Sequence, residues 1–200
     1  FAEPLACCYN GVMRTPIRVG DTVIVMGAGP IGQMLAQLAH LRGARVIAVD
    51  LLEERLELAR ELGAWKTLNA GDPDLVEQVH ALTGGLGAEA VIVAVGSTRA
   101  EMQALELAAP GACVNYFAGT YPASTISVDP NVIHYKQLWV TGSFHFTPGG
   151  FRTALDLLAR GEVQVLPLIS HRFGLDQVAQ AFDTVIERGG MKVIVNMDAQ

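Results

Sequence analysis

No run of lysine or arginine interrupts this 200-residue sequence, whose 14 basic residues are outnumbered by 20 acidic ones. A net charge of −6 leaves no basic footprint of the kind a nucleic-acid partner requires. Cysteine is scarce as well. Cys7, Cys8 and Cys113 form an odd set without C-x-x-C spacing, which argues against a disulfide framework and for free thiols in a reducing cytoplasm. No signal-peptide pattern opens the chain, and it starts at Phe1 instead of methionine, as a piece of a longer protein would. Asp, Glu, Lys and Arg are all absent from Thr22 to Leu41, a stretch as long as a membrane span. Gly27, Gly29, Pro30 and Gly32, followed by Gln33, Gln37 and His40, break that run, so a buried strand, a glycine turn and a half-buried helix are expected and no membrane partner. Neither a fixed-period repeat nor a low-complexity segment occurs. Half of the residues are hydrophobic and 17% are charged, enough for a sizeable core in one domain, or in one domain with a partial neighbour.

What is present is one unit used repeatedly: a short β-branched run, a turn, then a segment of helical period. The runs are Thr22–Met26, Val46–Val49, the weaker Lys66–Leu68, Ala90–Val95, Cys113–Phe117 and Leu138–Thr141. Helices are expected over about 30–42, 53–62, 75–82 and 98–107, with a long connection from Gly119 to Lys136 that carries Pro122 and Pro130. Uninterrupted apolar strands alternating with helices imply a parallel sheet covered on both faces. The expected fold is therefore α/β, a doubly wound six-stranded parallel sheet of the Rossmann kind. Beyond it, helices are expected over 151–160 and 175–187 and a strand over 192–195, either joining the sheet or belonging to another domain.

Gly27-Ala28-Gly29-Pro30-Ile31-Gly32 stands directly after the first run and directly before a helix. In that context Gly27 permits the tight turn, Gly29 lets backbone approach a pyrophosphate, and Gly32 lets helix and strand pack closely. Pro30 suits the first helical turn, where its missing N–H has no intrahelical partner to lose. Asp50 ends the second strand, eighteen residues beyond Gly32, where a carboxylate accepts hydrogen bonds from an adenosine ribose. It would repel a 2′-phosphate, and Leu51 and Leu52 bring no cation, so NAD is favoured over NADP. Arg55 has two readings, a contact to the adenosine end or a solvated helix charge paired with a nearby glutamate. A methyltransferase would hold S-adenosylmethionine with a similar turn and acid, but the turn here suits a diphosphate better. A short-chain dehydrogenase would need Tyr-x-x-x-Lys, and Met13, Thr120, Thr125 and Trp139 stand four residues after the four tyrosines.

The segments Glu3-Pro4-Leu5, Val19–Val23, Gly27–Gly32, Asp50–Arg55, Glu61–Ala64, Thr83–Ala88 and His171–Phe173 run in order along almost the whole chain. With them the sequence resembles the cofactor-binding portion of the zinc-dependent medium-chain alcohol dehydrogenases, nearest the sorbitol and threonine dehydrogenase branch. The resemblance implies a linker helix over 1–14, an NAD-binding domain over 15–160, and over 161–200 the C-terminal part of a catalytic domain that otherwise lies outside this chain. It implies that Glu3 sits at or beside a catalytic zinc whose other ligands, a Cys and a His-Glu pair, belong to that domain. No catalytic set is then complete here, and the chain alone is expected to be inactive. Cofactor positions carry over to Gly27, Gly29, Pro30, Ile31, Gly32, Asp50 and Arg55, and on the nicotinamide side to Phe117, Ala118, Gly119, Ser143 and Phe144.

His145 borders the substrate in this resemblance, where sorbitol dehydrogenases carry an arginine, and that departure puts sorbitol itself in doubt. The implied activity is hydride transfer between a secondary alcohol or polyol and NAD, with zinc in the longer enzyme and a homodimer formed through strand 138–142. The alternative is a non-catalytic NAD-sensing module, against which Glu3-Pro4-Leu5 and the tail both speak.

Overall fold

The computed structural model describes residues 1–187 and 189–197. The chain divides into two compact units, one from Phe1 to Val163 and a second that begins at Gln164.

The first unit is built on six strands: β1 (Thr22–Met26), β2 (Arg45–Asp50), β3 (Lys66–Asn69), β4 (Ala88–Val93), β5 (Ala108–Tyr116) and β6 (Trp139–Gly142). All pair in parallel in the order β3-β2-β1-β4-β5-β6, so the chain changes direction across the sheet between β1 and β4. That is the doubly wound sheet expected from the alternation of apolar runs and helices. Every residue of β1 is buried, as are the last five of β2, because helices cover both faces of the central strands. Ile24, Ile47, Val91, Val93 and Val114 form the middle of the core, each contributing about 1.5–3 kcal/mol of burial.

Seven helices belong to this unit: α1 (Ala2–Arg14), α2 (Pro30–Leu41), α3 (Glu53–Glu61), α4 (Leu75–Leu82), α5 (Thr98–Leu107), α6 (Pro130–Lys136) and α7 (Pro148–Ala159). The uncharged stretch from Thr22 is explained by β1 and α2 together, since Gly32 to Ala39 are all buried. Gln33 is buried within it and donates from Nε2 to the carbonyls of Ala28 and Arg55, 3.1 and 2.8 Å away.

Two features depart from the sequence reading. The connection from Gly119 to Lys136 is not all loop: α6 occupies its end, capped by the Asp129 carboxylate, which accepts from the Asn131 N–H at 2.9 Å. β5 begins five residues early, at Ala108, because its pairing with β4 shifts register, Ala88 facing Ala108 but Ala90 facing Cys113. Pro110 and Gly111 lie in that irregularity, which is where proline is tolerated inside a sheet.

The second unit holds a single turn of 3₁₀ helix at Leu166–Leu168, β7 (Ile169–Gly174), a further 3₁₀ turn at Leu175–Gln177, α8 (Val178–Ile186) and β8 (Lys192–Asn196). β7 and β8 pair in parallel as a separate two-stranded sheet, so the tail does not extend the six-stranded one. β7 is a strand the sequence hid behind Ser170, His171 and Arg172. On α8, Phe182, Val185 and Ile186 are exposed. No described helix is long and apolar enough to cross a membrane.

Candidate functional site

In a parallel sheet the loops after the strand carboxyl ends form the binding edge, and a change of direction opens a crevice there. Here that crevice lies between β1 and β4, and the glycine turn fills the end of β1. Gly27 adopts a left-handed φ of +96°, and a Cβ there would lie 3.1 Å from that of Val95. At Gly32 a Cβ would collide with the Gly27 carbonyl oxygen, so only glycine lets α2 start this close to the strand. Gly29 is the N-cap of α2, in extended backbone, with Pro30 next. Among the described residues, the N–H groups of Gly29, Ile31 and Gly32 have no protein partner. Three free donors at the positive end of a helix dipole form an anion cradle.

Asp50 closes one side of that cradle and is largely buried. Its Oδ2 accepts from the Ala28 N–H at 2.7 Å and its Oδ1 from the Leu52 N–H at 3.0 Å, so the carboxylate braces the turn. A carboxylate has about four lone-pair sites, so acceptor capacity remains on both oxygens. Arg55 departs from the solvated, glutamate-paired reading. Its guanidinium turns inward, 3.8 Å from Asp50 and within 4 Å of where a Gly29 Cβ would lie, instead of pairing with a helix glutamate. Its Nε is buried without a partner. A cation therefore does stand beside Asp50, contrary to the inference drawn from Leu51 and Leu52.

Further along the same edge, Phe117, Ala118, Gly119, Ser143 and Phe144 line one cleft of about 610 Å³, shared with Arg14, Glu101 and Thr120. The N–H groups of Phe117 and Ala118 both donate to the Val93 carbonyl, fixing how the chain leaves β5. The loop after β4 joins cradle and cleft. Val95 touches Gly27, and a Cβ on Gly96 would come within 2.5 Å of the Gly119 carbonyl oxygen. Sequence reasoning missed Gly96, whose role depends on a neighbour more than twenty residues away. The Tyr116 hydroxyl donates to the Glu101 carbonyl at 3.1 Å, and burial together with the Glu101 charge raises its pKa.

A buried polar knot behind the cleft was also missed. Asn115 Nδ2 donates to the Gly11 carbonyl and to Thr15 Oγ1, 3.1 and 3.0 Å away, while Ser143 Oγ donates to Asn115 Oδ1 at 3.2 Å. It ties α1 to β5 and to the end of β6. Gly11, near the C-terminal end of α1, has no room for a side chain because the Phe117 ring lies 2.7 Å from where a Cβ would sit.

Glu3 and His145 lie together at the exposed end of α1. Asn10 Nδ2 donates to the carbonyls of Phe144 and His145, 3.4 and 2.9 Å away, and holds the β6–α7 loop against the helix. Cys7 Sγ–H donates to Glu3 Oε1 at 3.4 Å, and one ligand atom each of Glu3, Cys7 and His145 lies within 4.8 Å of the others. All three cysteines are free. Burial first, and the Glu3 hydrogen bond second, push the Cys7 thiol up to about 11, and burial alone does the same for Cys113.

A strand order of 3-2-1-4-5-6, with a glycine turn after β1 and a buried acid ending β2, is that of a Rossmann-type α/β protein. Comparison with known proteins narrows the class. The family profile described as zinc-binding dehydrogenase matches residues 30–160, and the chain belongs to that family. Its relatives include an erythritol/L-threitol dehydrogenase of Mycolicibacterium smegmatis, 36% identical over 188 residues that are 92% of this chain and 51% of that protein. A D-arabitol-phosphate dehydrogenase of Enterococcus avium is 30% identical over 204 residues, 100% of this chain and 57% of its own length. Among solved structures, a protein of Sinorhizobium meliloti 1021 described as a candidate zinc-binding dehydrogenase, bound to NADP, superposes with a TM-score of 0.91 at 32% identity, covering 98% of this chain and 58% of that one. The chain spans little more than half the length of the curated relatives it matches.

Proposed function

We propose that this chain is the cofactor-binding half of an NAD-dependent zinc alcohol or polyol dehydrogenase. The observation that carries the reading is the set of three unpartnered N–H groups at Gly29, Ile31 and Gly32, beside a buried Asp50 with spare acceptor capacity. Gly27 to Gly32 would hold the pyrophosphate, Asp50 the adenosine ribose, and Arg55 the same end of the ligand from α3. Phe117, Ala118, Gly119, Ser143 and Phe144 would line the nicotinamide ring, with His145 bordering the substrate and Glu3 beside the metal. Bound at this edge, the dinucleotide would supply a hydride acceptor and zinc a Lewis acid for the substrate hydroxyl. The residues of this chain bind, orient and keep water from the ring face.

Asp50 favours NAD, while Arg55 lessens the repulsion that a 2′-phosphate would meet. Titration with NADH and NADPH, followed by calorimetry, measures the balance. Tighter NADH binding supports the reading, and NADPH binding as tight or tighter overturns the NAD preference. The chain alone is expected to turn over no alcohol. The relatives with polyol names support an alcohol or polyol substrate. Free thiols fit a reducing cytoplasm. The edge position of β6 supports a homodimer formed through strand 138–142, and the exposed Phe182, Val185 and Ile186 on α8 support a further domain packing on the second unit.

A further inference from the structure

We infer that Asn115 is a positioning residue for the nicotinamide end of the cofactor, holding α1 and the ends of β5 and β6 in one register so that the cleft keeps its shape. The inference rests on the proposed dinucleotide reading and names the buried residue on which one end of that site depends.

Asn115 is fully buried on β5. Side chains two apart on a strand share a face, so Asn115 and Phe117 both point toward α1, whereas Tyr116 turns to Glu101 on α5. Three elements meet at the Asn115 amide. Nδ2 donates twice to α1, once to the Gly11 carbonyl and once to Thr15 Oγ1, and Oδ1 accepts from the Ser143 hydroxyl just after β6. The neighbours dictate the orientation of the amide: a carbonyl can only accept, so the nitrogen faces Gly11 and the oxygen faces Ser143. Thr15 Oγ1 in turn donates to the Gly11 carbonyl at 2.9 Å, so it is the acceptor at Asn115. Both amide hydrogens and the carbonyl of Asn115 are thus matched, and a fully matched buried network specifies one arrangement of the parts it joins.

Those parts carry the cleft. Ser143 lines it, and so does Phe117, whose ring rests on α1 at Gly11, the residue whose carbonyl Asn115 holds. One position back, Asn10 Nδ2 reaches the carbonyls of Phe144 and His145, and Phe144 also lines the cleft. Neighbouring residues of α1 therefore fix both strand ends that would receive the nicotinamide ring. The adenosine end is remote from this set. β2, which carries Asp50, lies three strands from β5 in the sheet, about 14 Å at the usual strand spacing. Loss of the knot should accordingly loosen one end of the dinucleotide and spare the other.

The test compares NADH with ADP-ribose, which has the adenosine and diphosphate but no nicotinamide. The unmutated chain should bind NADH more tightly than ADP-ribose and enhance the fluorescence of the bound reduced ring. Asn115→Leu, similar in size but without hydrogen bonds, should weaken NADH roughly five- to tenfold, the equivalent of about one net hydrogen bond, and abolish the enhancement. ADP-ribose should bind that variant as before. Thr15→Val, which removes an acceptor outside the cleft, should shift NADH in the same direction, and Thr15→Ser should restore the unmutated behaviour. If Asn115→Leu does not fold, the Thr15 pair carries the test by the same comparison. NADH affinity and fluorescence unchanged in the variants, equal losses for the two ligands, or NADH binding no tighter than ADP-ribose in the unmutated chain would overturn the role. An unmutated chain that binds neither ligand overturns the dinucleotide reading and this role with it, whereas normal binding of both with unaffected variants overturns the role alone.

Discussion

At Asp50 one side chain meets the N–H groups of Ala28 and Leu52 and faces the guanidinium of Arg55. Its replacement therefore has two readouts. Asp50→Ala should destabilise the chain by about 1–3 kcal/mol by orphaning those N–H groups, measured in urea, and should also weaken NADH binding. A loss of stability with unchanged affinity would confine Asp50 to bracing the turn. Gly32→Ala is a purely steric test: the new methyl meets the Gly27 carbonyl, and a cost of about 3 kcal/mol or more is expected from overpacking. The glycine turn was legible from sequence because each glycine acts on atoms a few residues away. Asn115 was not, since its partners Gly11 and Thr15 lie about a hundred positions earlier, and nothing local marks an asparagine as the knot between a helix and a strand. The inward turn of Arg55 was equally hidden, because a helix arginine beside several glutamates has a solvated alternative until the packing is known.

Among the elements, α5 depends on a residue from α6. Its last turn has no basic residue of its own, and Lys136 Nζ donates instead to the carbonyls of Leu105, Glu106 and Ala108, at 3.1, 3.0 and 2.9 Å. This is the C-terminal capping that a cation supplies through space. Burial lowers the Lys136 pKa, and the Glu106 charge acts against that shift. Lys136→Met should lower the unfolding free energy by about 1.5–3 kcal/mol, the range for hydrogen bonds from a charged donor, and so lower the urea midpoint. An unchanged midpoint would show the three bonds to be idle. The same helix explains part of what the sequence concealed. Pro122 and Pro130 make 119–136 look like uninterrupted loop, yet Pro130 is the first residue of α6, the helical position where proline is favoured. In β5, Pro110 and Gly111 imitate a turn while lying in a bulged strand, and in β7 three polar residues mask a strand whose burial alternates.

For the whole molecule, the α/β order and the six parallel strands could be read from the alternation of apolar runs and helical segments, because they follow from hydrophobic period. The separate sheet of the second unit could not, since a two-stranded pairing leaves no period to distinguish it from an added edge strand. β6 is the last strand of the larger sheet, with Trp139 58% exposed on it, and an open edge of that kind invites pairing with a second copy. Sedimentation at micromolar concentration should give a dimer that Trp139→Lys converts to monomer, and a monomer from the unmutated chain would count against the proposed interface. The central claim, that this edge holds a nicotinamide dinucleotide, is most directly tested by calorimetric titration of the chain with NADH. Saturable binding of one NADH per chain, weakened in Asp50→Ala, is the predicted result; no heat at millimolar NADH, or heat unaffected by Asp50→Ala, would contradict it.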